Sequence, residues 1–166
     1  SGEVFFAMKR VRGRTLADIL DVLDEGDSDV VSEFTRVRLL TLFQQVCMGV
    51  HYAHSRGVVH RDIKPGNVMV TRENEVKLVD FGIARVFKQD ASADTKALGT
   101  PGYAAPEQYG KGQSGPRTDL FAFGATIHHA LTGRDPTEEP FQFPPLTDYR
   151  GDLPPEFVAL LDSCLS

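Results

Sequence analysis

The segment His60-Arg61-Asp62-Ile63-Lys64-Pro65-Gly66-Asn67, followed eighteen residues after Asp62 by Asp80-Phe81-Gly82, constrains this chain more than any other feature. Between the two lie short apolar runs, Val68-Met69-Val70 and Val76-Lys77-Leu78-Val79, which read as strands joined by a turn at Glu73-Asn74. Such a hairpin sets Asn67 and Asp80 at neighbouring strand ends, as a shared metal site demands. The residue types suit transfer of a phosphoryl group, which needs a base at the attacking hydroxyl, oxygen ligands for a hard cation, and positive charge near the developing negative charge. Asp62 supplies the base, Asn67 and Asp80 the ligands, and Lys64 the cation.

Two further segments follow in order: Gly99-Thr100-Pro101-Gly102-Tyr103-Ala104-Ala105-Pro106-Glu107 and Asp119-Leu120-Phe121-Ala122-Phe123-Gly124. The four together resemble the catalytic loop, metal-binding loop, substrate-docking segment and buried central helix of the eukaryotic-like (Hanks-type, bacterial-style) serine/threonine protein kinase family, over essentially the whole chain. The resemblance implies a mainly α member of an α+β family fold: the large C-terminal lobe, with short β-hairpin strands at the cleft and the small lobe absent. It implies ATP-dependent phosphorylation of Ser/Thr on protein substrates, with Mg2+, or alternatively Mn2+, as the cation. Asp62, Lys64, Asn67, Asp80 and Thr100 would be catalytic, and Asn67 and Asp80 would hold the metal. Lys64 would contact the γ-phosphate, and Lys64 and Thr100 together mark the Ser/Thr rather than the Tyr branch. Met8, Lys9, Val11 and Met69 would surround the adenine. Arg61 and Arg85 would clamp an activating phosphate on Ser92 or Thr95. Phe81 would pack under the small lobe, Glu107 would lack the late arginine with which it pairs in the family, and Asp119 would face the catalytic-loop backbone.

The family's Gly-rich phosphate loop, strand lysine and helix glutamate have no counterpart before His60. The expectation is therefore a partial kinase domain over 1–166, with a hinge at about 8–14, a large lobe at 15–166 and truncation at both ends, inactive on its own. The alternative is a pseudokinase-type binding or scaffold module, which the intact set Asp62, Lys64, Asn67 and Asp80 disfavours.

A net charge of −5 gives no reason to propose nucleic acid or a membrane surface as partner. No apolar run approaches the roughly 20 residues of a membrane helix. Cys47 and Cys164 stand far apart, without metal or redox spacing, which points to a reducing compartment and a cytoplasmic location, a membrane anchor outside these residues aside.

Along the chain, residues 4–8 read as a strand. Thr15 caps a short helix from Leu16 to about Leu23, and Asp24 to Asp29 read as a solvated loop. The longest helical pattern runs from Ser32 or Thr35 to His54 and ends at Arg56-Gly57. Residues 83–98 read as a mobile loop. Leu120 to Leu131 is apolar nearly all round and predicts a buried helix stopped by Gly133. Residues 135–155 are Pro-rich and wrap the surface, and a last amphipathic helix begins near Pro155. The run Gly110-Lys111-Gly112-Gln113-Ser114-Gly115 fits a phosphate-loop pattern without the required strand before it or helix after it, and reads as a surface connection. His51, His54, His128 and His129 lack a third ligand and read as packed or hydrogen-bonded histidines.

Overall fold

The computed structural model describes residues 10–81, 85–86, 99–110 and 112–166. The first element is a two-residue strand, β1 (Arg14–Thr15), that runs straight into helix α1 (Leu16–Asp24). Thr15 caps that helix. Its hydroxyl accepts from the Asp18 amide and the Asp18 carboxylate accepts from the Thr15 amide, each at 3.0 Å, so two amides that the first turn leaves without partners are satisfied reciprocally. Leu16, Ile19 and Leu20 form its buried face.

The acidic stretch read as a loop is in part a helix, α2 (Ser28–Glu33). Asp27 makes it: one carboxylate oxygen accepts from the amides of Asp29 and Val30, both at 3.0 Å. Val30 is the buried anchor, too little apolar periodicity for the sequence to declare. Thr35 then caps α3 (Arg36–Ser55), which buries Leu39, Leu42, Phe43, Val46 and Val50 at helical spacing and ends at Gly57 in the left-handed region, φ 71.

Strand β2 (Val58–Val59) leads into the loop from His60, and a single 3-10 turn, Pro65–Asn67, leads out of it. Strands β3 (Val68–Val70) and β4 (Val76–Leu78) form the expected hairpin, and β1 pairs antiparallel with β3 to complete a three-stranded sheet in the order β1-β3-β4. Asn74 takes the left-handed conformation at the hairpin turn, φ 63, which asparagine tolerates. A second ribbon pairs β2 with β5 (Arg85–Val86), a strand not foreseen inside the stretch read as a mobile loop. The rest of that loop, and the strand expected at 4–8, lie outside the described residues.

Helix α4 (Pro116–Thr132) is the centre of the molecule, with twelve of its seventeen residues buried, as an all-round apolar helix must be. Gly133 closes it with φ 71 and donates to the His129 carbonyl at 2.8 Å. Phe123 of α4 meets Phe43 of α3 edge-on, centroids 6.2 Å apart. Truncating such a core aromatic costs about 3–5 kcal/mol. Helix α5 (Pro155–Leu165) packs on α4 where Gly124 leaves room: a Cβ there would lie 3.0 Å from the Cys164 side chain. The connection between these helices lies over the surface, with one 3-10 turn at Leu146–Asp148. It is tied down where Gly102, φ 83, abuts the backbone of Pro136, 2.3 Å from where a Cβ would stand. Among the described residues no helix is long and apolar enough to cross a membrane.

Candidate active site

The loop His60–Asn67 hangs from the first turn of α4. Asp119 is wholly buried, and its two carboxylate oxygens accept from successive loop amides, His60 N at 2.8 Å and Arg61 N at 2.7 Å. His54, at the end of α3, lies 2.7 Å from the same carboxylate. Arg61 turns the chain with φ 75, and its carbonyl is claimed by the Gln108 amide nitrogen at 2.8 Å. Gln108 in turn accepts from Ala105 N at 2.9 Å, so α4 and the 99–110 segment hold the loop from two directions. The Arg61 side chain runs inward, buried, and donates to the Ser114 hydroxyl at 3.1 Å.

That scaffold presents Asp62. One of its oxygens accepts from the Thr100 hydroxyl at 2.7 Å, and the other lies 3.1 Å from both the Lys64 ammonium and the Asn67 amide nitrogen. Lys64 also donates to the Thr100 oxygen at 2.6 Å, and Asn67 to the Asp62 carbonyl at 2.7 Å. Partial burial pushes the Asp62 pKa up, but the bonds from Thr100, Lys64 and Asn67 outweigh it and hold the carboxyl below its ordinary range. The group stays ionised and aimed, with 14% of its side chain exposed. His60 orients the same stretch. Its Nε2–H donates to the Val79 carbonyl at 3.0 Å and its Nδ1 accepts from the Asp62 amide at 3.3 Å, an assignment that needs the neutral ring. Burial favours that form and pulls its pKa down.

The hairpin brings the second candidate ligand alongside. Val79 N donates to Asn67 O at 2.9 Å, so the strand end that carries Asp80 is zipped to the residue it is meant to work with. Asp80 itself has φ 61 and is exposed, and Phe81, 42% exposed, rests its ring 4.4 Å from that of His60. With its amide nitrogen committed to Asp62, Asn67 has its oxygen left for a cation. That oxygen and the Asp80 carboxylate are the hard donors magnesium takes when phosphates complete its shell. The described residues hold no group of three or more His, Cys, Asp or Glu fit for a metal without such help.

The structure thus brings Asp62, Lys64, Asn67 and Thr100 into one bonded group and places Asp80 at its edge. Met69 is half-buried, on the opposite face of β3 from the core residues Val68 and Val70, and Val11 is half-buried ahead of β1. Met8, Lys9, Ser92 and Thr95 lie outside the described residues, and Arg85 is described only as part of β5. Glu107 accepts from the Thr118 hydroxyl at 2.7 Å, and Gly112 packs so closely on Glu107 that a Cβ would lie 2.7 Å from its side chain, which is the structural use of the glycine-rich run.

Sequence reading missed Gln108, Ser114 and Thr118. They act through partners 47, 53 and 11 residues away, and only their nearness to the quoted segments could have marked them. His129, read as a packed or hydrogen-bonded histidine, is both. Asp135, Asp21 and Asp24 crowd that ring, which bonds the Tyr103 hydroxyl at 2.6 Å. Burial lowers the His129 pKa against these carboxylates and, with Asp135, raises that of Tyr103.

A family model described as Protein kinase domain matches residues 1–143. The "Probable serine/threonine-protein kinase PknB" of Corynebacterium glutamicum is 32% identical over 173 residues, which cover 96% of this chain and 26% of that protein. The "Serine/threonine-protein kinase PknB" of Mycobacterium tuberculosis is 33% identical over 135 residues, 80% of this chain and 20% of that protein. The "Interferon-induced, double-stranded RNA-activated protein kinase" of Rattus norvegicus is 40% identical over 101 residues, 60% of this chain and 20% of that protein. The chain spans about a quarter or less of the length of these relatives.

Proposed function

The chain belongs to the serine/threonine protein kinase family, and on that premise we propose that the whole protein transfers the γ-phosphoryl group of ATP to Ser or Thr hydroxyls of protein substrates. The observation that carries this is the bonded group Asp62–Thr100–Lys64–Asn67, with Asp62 Oδ1 2.7 Å from the Thr100 hydroxyl and Lys64 within 3.1 Å of Asp62. Asp62 orients the substrate hydroxyl and takes its proton as the oxygen attacks phosphorus. Lys64 carries the positive charge that meets the γ-phosphate, and Thr100 fixes both side chains. Asn67 and Asp80 are the residues that would hold magnesium, whose charge offsets that of the phosphates. Val11 and Met69, with Met8 and Lys9, would line the adenine. Two free cysteines support a reducing, cytoplasmic setting.

The 166 residues alone are expected to be inactive, because no residue among them matches the Gly-rich loop and strand lysine that align the phosphates. Positioning can supply about 7–11 kcal/mol of a barrier. Arg61 and Arg85 are the proposed receivers of a phosphate on Ser92 or Thr95. Arg61 would have to exchange its bond to Ser114 for that phosphate. The test is radiolabel transfer from ATP to a mixed protein substrate by the whole protein, with phosphoamino-acid analysis. Phosphoserine or phosphothreonine that vanishes in Asp62→Asn supports the reading. Transfer unchanged in that variant would remove the role given to Asp62, and nucleotide binding without transfer in the wild type would favour the scaffold alternative. A Ser92/Thr95 double Ala variant of full activity would remove the switch.

A further inference from the structure

A cavity of about 670 Å³ opens beside the sheet, away from Asp62, and its wall is dominated by arginine. Arg10, Arg12 and Arg14 reach it from the segment entering β1, Arg38 from the first turns of α3, and Arg72 from the β3–β4 turn. Five arginines against Glu33 and Glu73 leave a surplus of three positive charges, on a chain whose net charge is −5. The surplus is therefore local, and a local field of one sign in a concave wall is what concentrates an oppositely charged ligand.

The cluster is built rather than scattered. Gly13 lets the arginine-bearing segment lie directly on β3, for a Cβ there would stand 2.2 Å from the Val70 carbonyl oxygen. Two guanidiniums lie against the buried Phe34 ring, Arg38 at 4.3 Å and Arg14 at 5.6 Å from its centre. Arg38 is further held by Glu33, at 3.2 Å from the carboxylate and 3.2 Å from the carbonyl, and by the Asn74 side chain. Glu33 is shared with Arg14 at 3.8 Å. That one carboxylate answers two arginines, while Arg10, Arg12 and Arg72 form no ion pair with any described residue.

We infer that this cavity is a docking site for an acidic segment of a protein substrate, a short run of carboxylate side chains that binds apart from the phosphoacceptor. Of the described candidate site residues only Val11 lines the cavity, so a segment seated there leaves the hydroxyl of the same substrate free to reach Asp62. A carboxylate-bearing peptide is favoured over a nucleic acid for two reasons. Phe34, the aromatic side chain in the wall, is already covered by arginine and offers no face for a base. A long polyanion would also run off the cavity onto a surface of net negative charge, whereas a short segment meets the arginines alone. The inference rests on the protein-kinase reading for its purpose, but not for its test.

The test is direct binding to the whole protein, read by fluorescence anisotropy of a labelled Glu-rich peptide without Ser, Thr or Tyr. The wild type should bind it at low salt, and Arg12→Glu/Arg72→Glu should weaken binding about tenfold or more, with the difference shrinking as salt shortens the screening length to about 10 Å at 0.1 M. Arg56→Glu, a charge reversal at the exposed end of α3, should change binding little. In phosphorylation, the double variant should raise KM for a substrate that carries the acidic segment, leaving its kcat, the KM for ATP and the turnover of a neutral peptide as they were. An equal loss in Arg56→Glu would reduce the effect to overall charge and overturn the site. So would unchanged peptide binding in the double variant, or tighter binding of an RNA oligomer than of the peptide to the wild type. Peptide binding lost in the double variant while no protein substrate is ever phosphorylated would leave the site standing and sink the kinase reading instead.

Discussion

The loop from His60 to Asn67 and the pair Asp80-Phe81 offer the two sides of one proposed site, and they are held in opposite ways. The backbone and the catalytic carboxylate of the loop are held at several points: Asp119 for two amides, Gln108 for a carbonyl, Thr100 and Lys64 for the Asp62 carboxylate. Asp80 and Phe81 stand largely in solvent, at the end of a hairpin, with the His60 ring beneath the phenyl. The hydroxyl-activating half is thus preorganised by the fold, whereas the half proposed to meet metal and nucleotide is exposed to solvent. Preorganised dipoles act without reorganisation at the moment of reaction, so the loop should govern the chemical step and Asp80 the binding of the nucleotide.

The largest effect should come from breaking each half in the whole protein. Asp62→Asn should lower kcat by about 10²–10⁴-fold with KM for MgATP nearly unchanged. Asp80→Asn should raise the metal and nucleotide concentrations needed as well as slowing turnover. Steady-state kinetics over a grid of magnesium and ATP decides, and identical signatures for the two would dissolve the contrast.

Stability should separate the halves in the same sense. Asp119→Ala leaves two buried amides and His54 without their acceptor, at roughly 1–3 kcal/mol per orphaned group, so a loss of at least about 3 kcal/mol is expected by urea unfolding. Asp80→Asn, exposed and still suited to a left-handed backbone, should shift stability by no more than about 0.5 kcal/mol.

A smaller effect isolates Thr100. Thr100→Val removes two hydrogen bonds, one to Asp62 and one from Lys64, and should cost about 1–3 kcal/mol, which Thr100→Ser should restore. Asp62 is held below the ordinary carboxyl value of 3.8, so its bonds stabilise the fold above that pH and the benefit is lost as pH falls through the folded-state value. Thr100→Val, with one bond fewer, should show a weaker acid-side loss.

The smallest effect lies where the two regions touch. Burial holds His60 below 6.5, so its unfolded form takes up a proton first, and stability that is full above about pH 6.5 declines as pH drops toward 5. The buried rings of His128 and His129 carry the same sign. Melting temperature should therefore fall from pH 7 to 5, and His60→Asn, less stable throughout, should fall with a shallower slope.

Much of this was legible before any coordinates. Asp62, Lys64, Asn67 and Asp80 sit at fixed offsets around two short strands, and local order alone brings them together. Caps and period disclosed α1, α3 and α4, because Thr15, Thr35 and Gly133 act on neighbours a few residues away. Helix α2 escaped because its signal is the lone cap Asp27 and one buried valine. Gln108, bonding Arg61 from 47 positions away, and the five arginines gathered from three segments escaped for a deeper reason. Periodicity reports which face of an element is buried, and carries no information on what lies across from it.

Gly102 shows what such a closure means for descent. One nucleotide change turns a glycine codon into Ala, Ser, Cys, Val, Asp, Glu, Arg or Trp, and every one of these brings a Cβ. At φ 83, with the Pro136 backbone 2.3 Å from that atom, each would have to displace the connection after α4 or the segment that holds Thr100. The position therefore has no neutral amino-acid replacement one mutation away. Substitutions on the exposed face of α3 meet no such obstacle, while at this position glycine must stay.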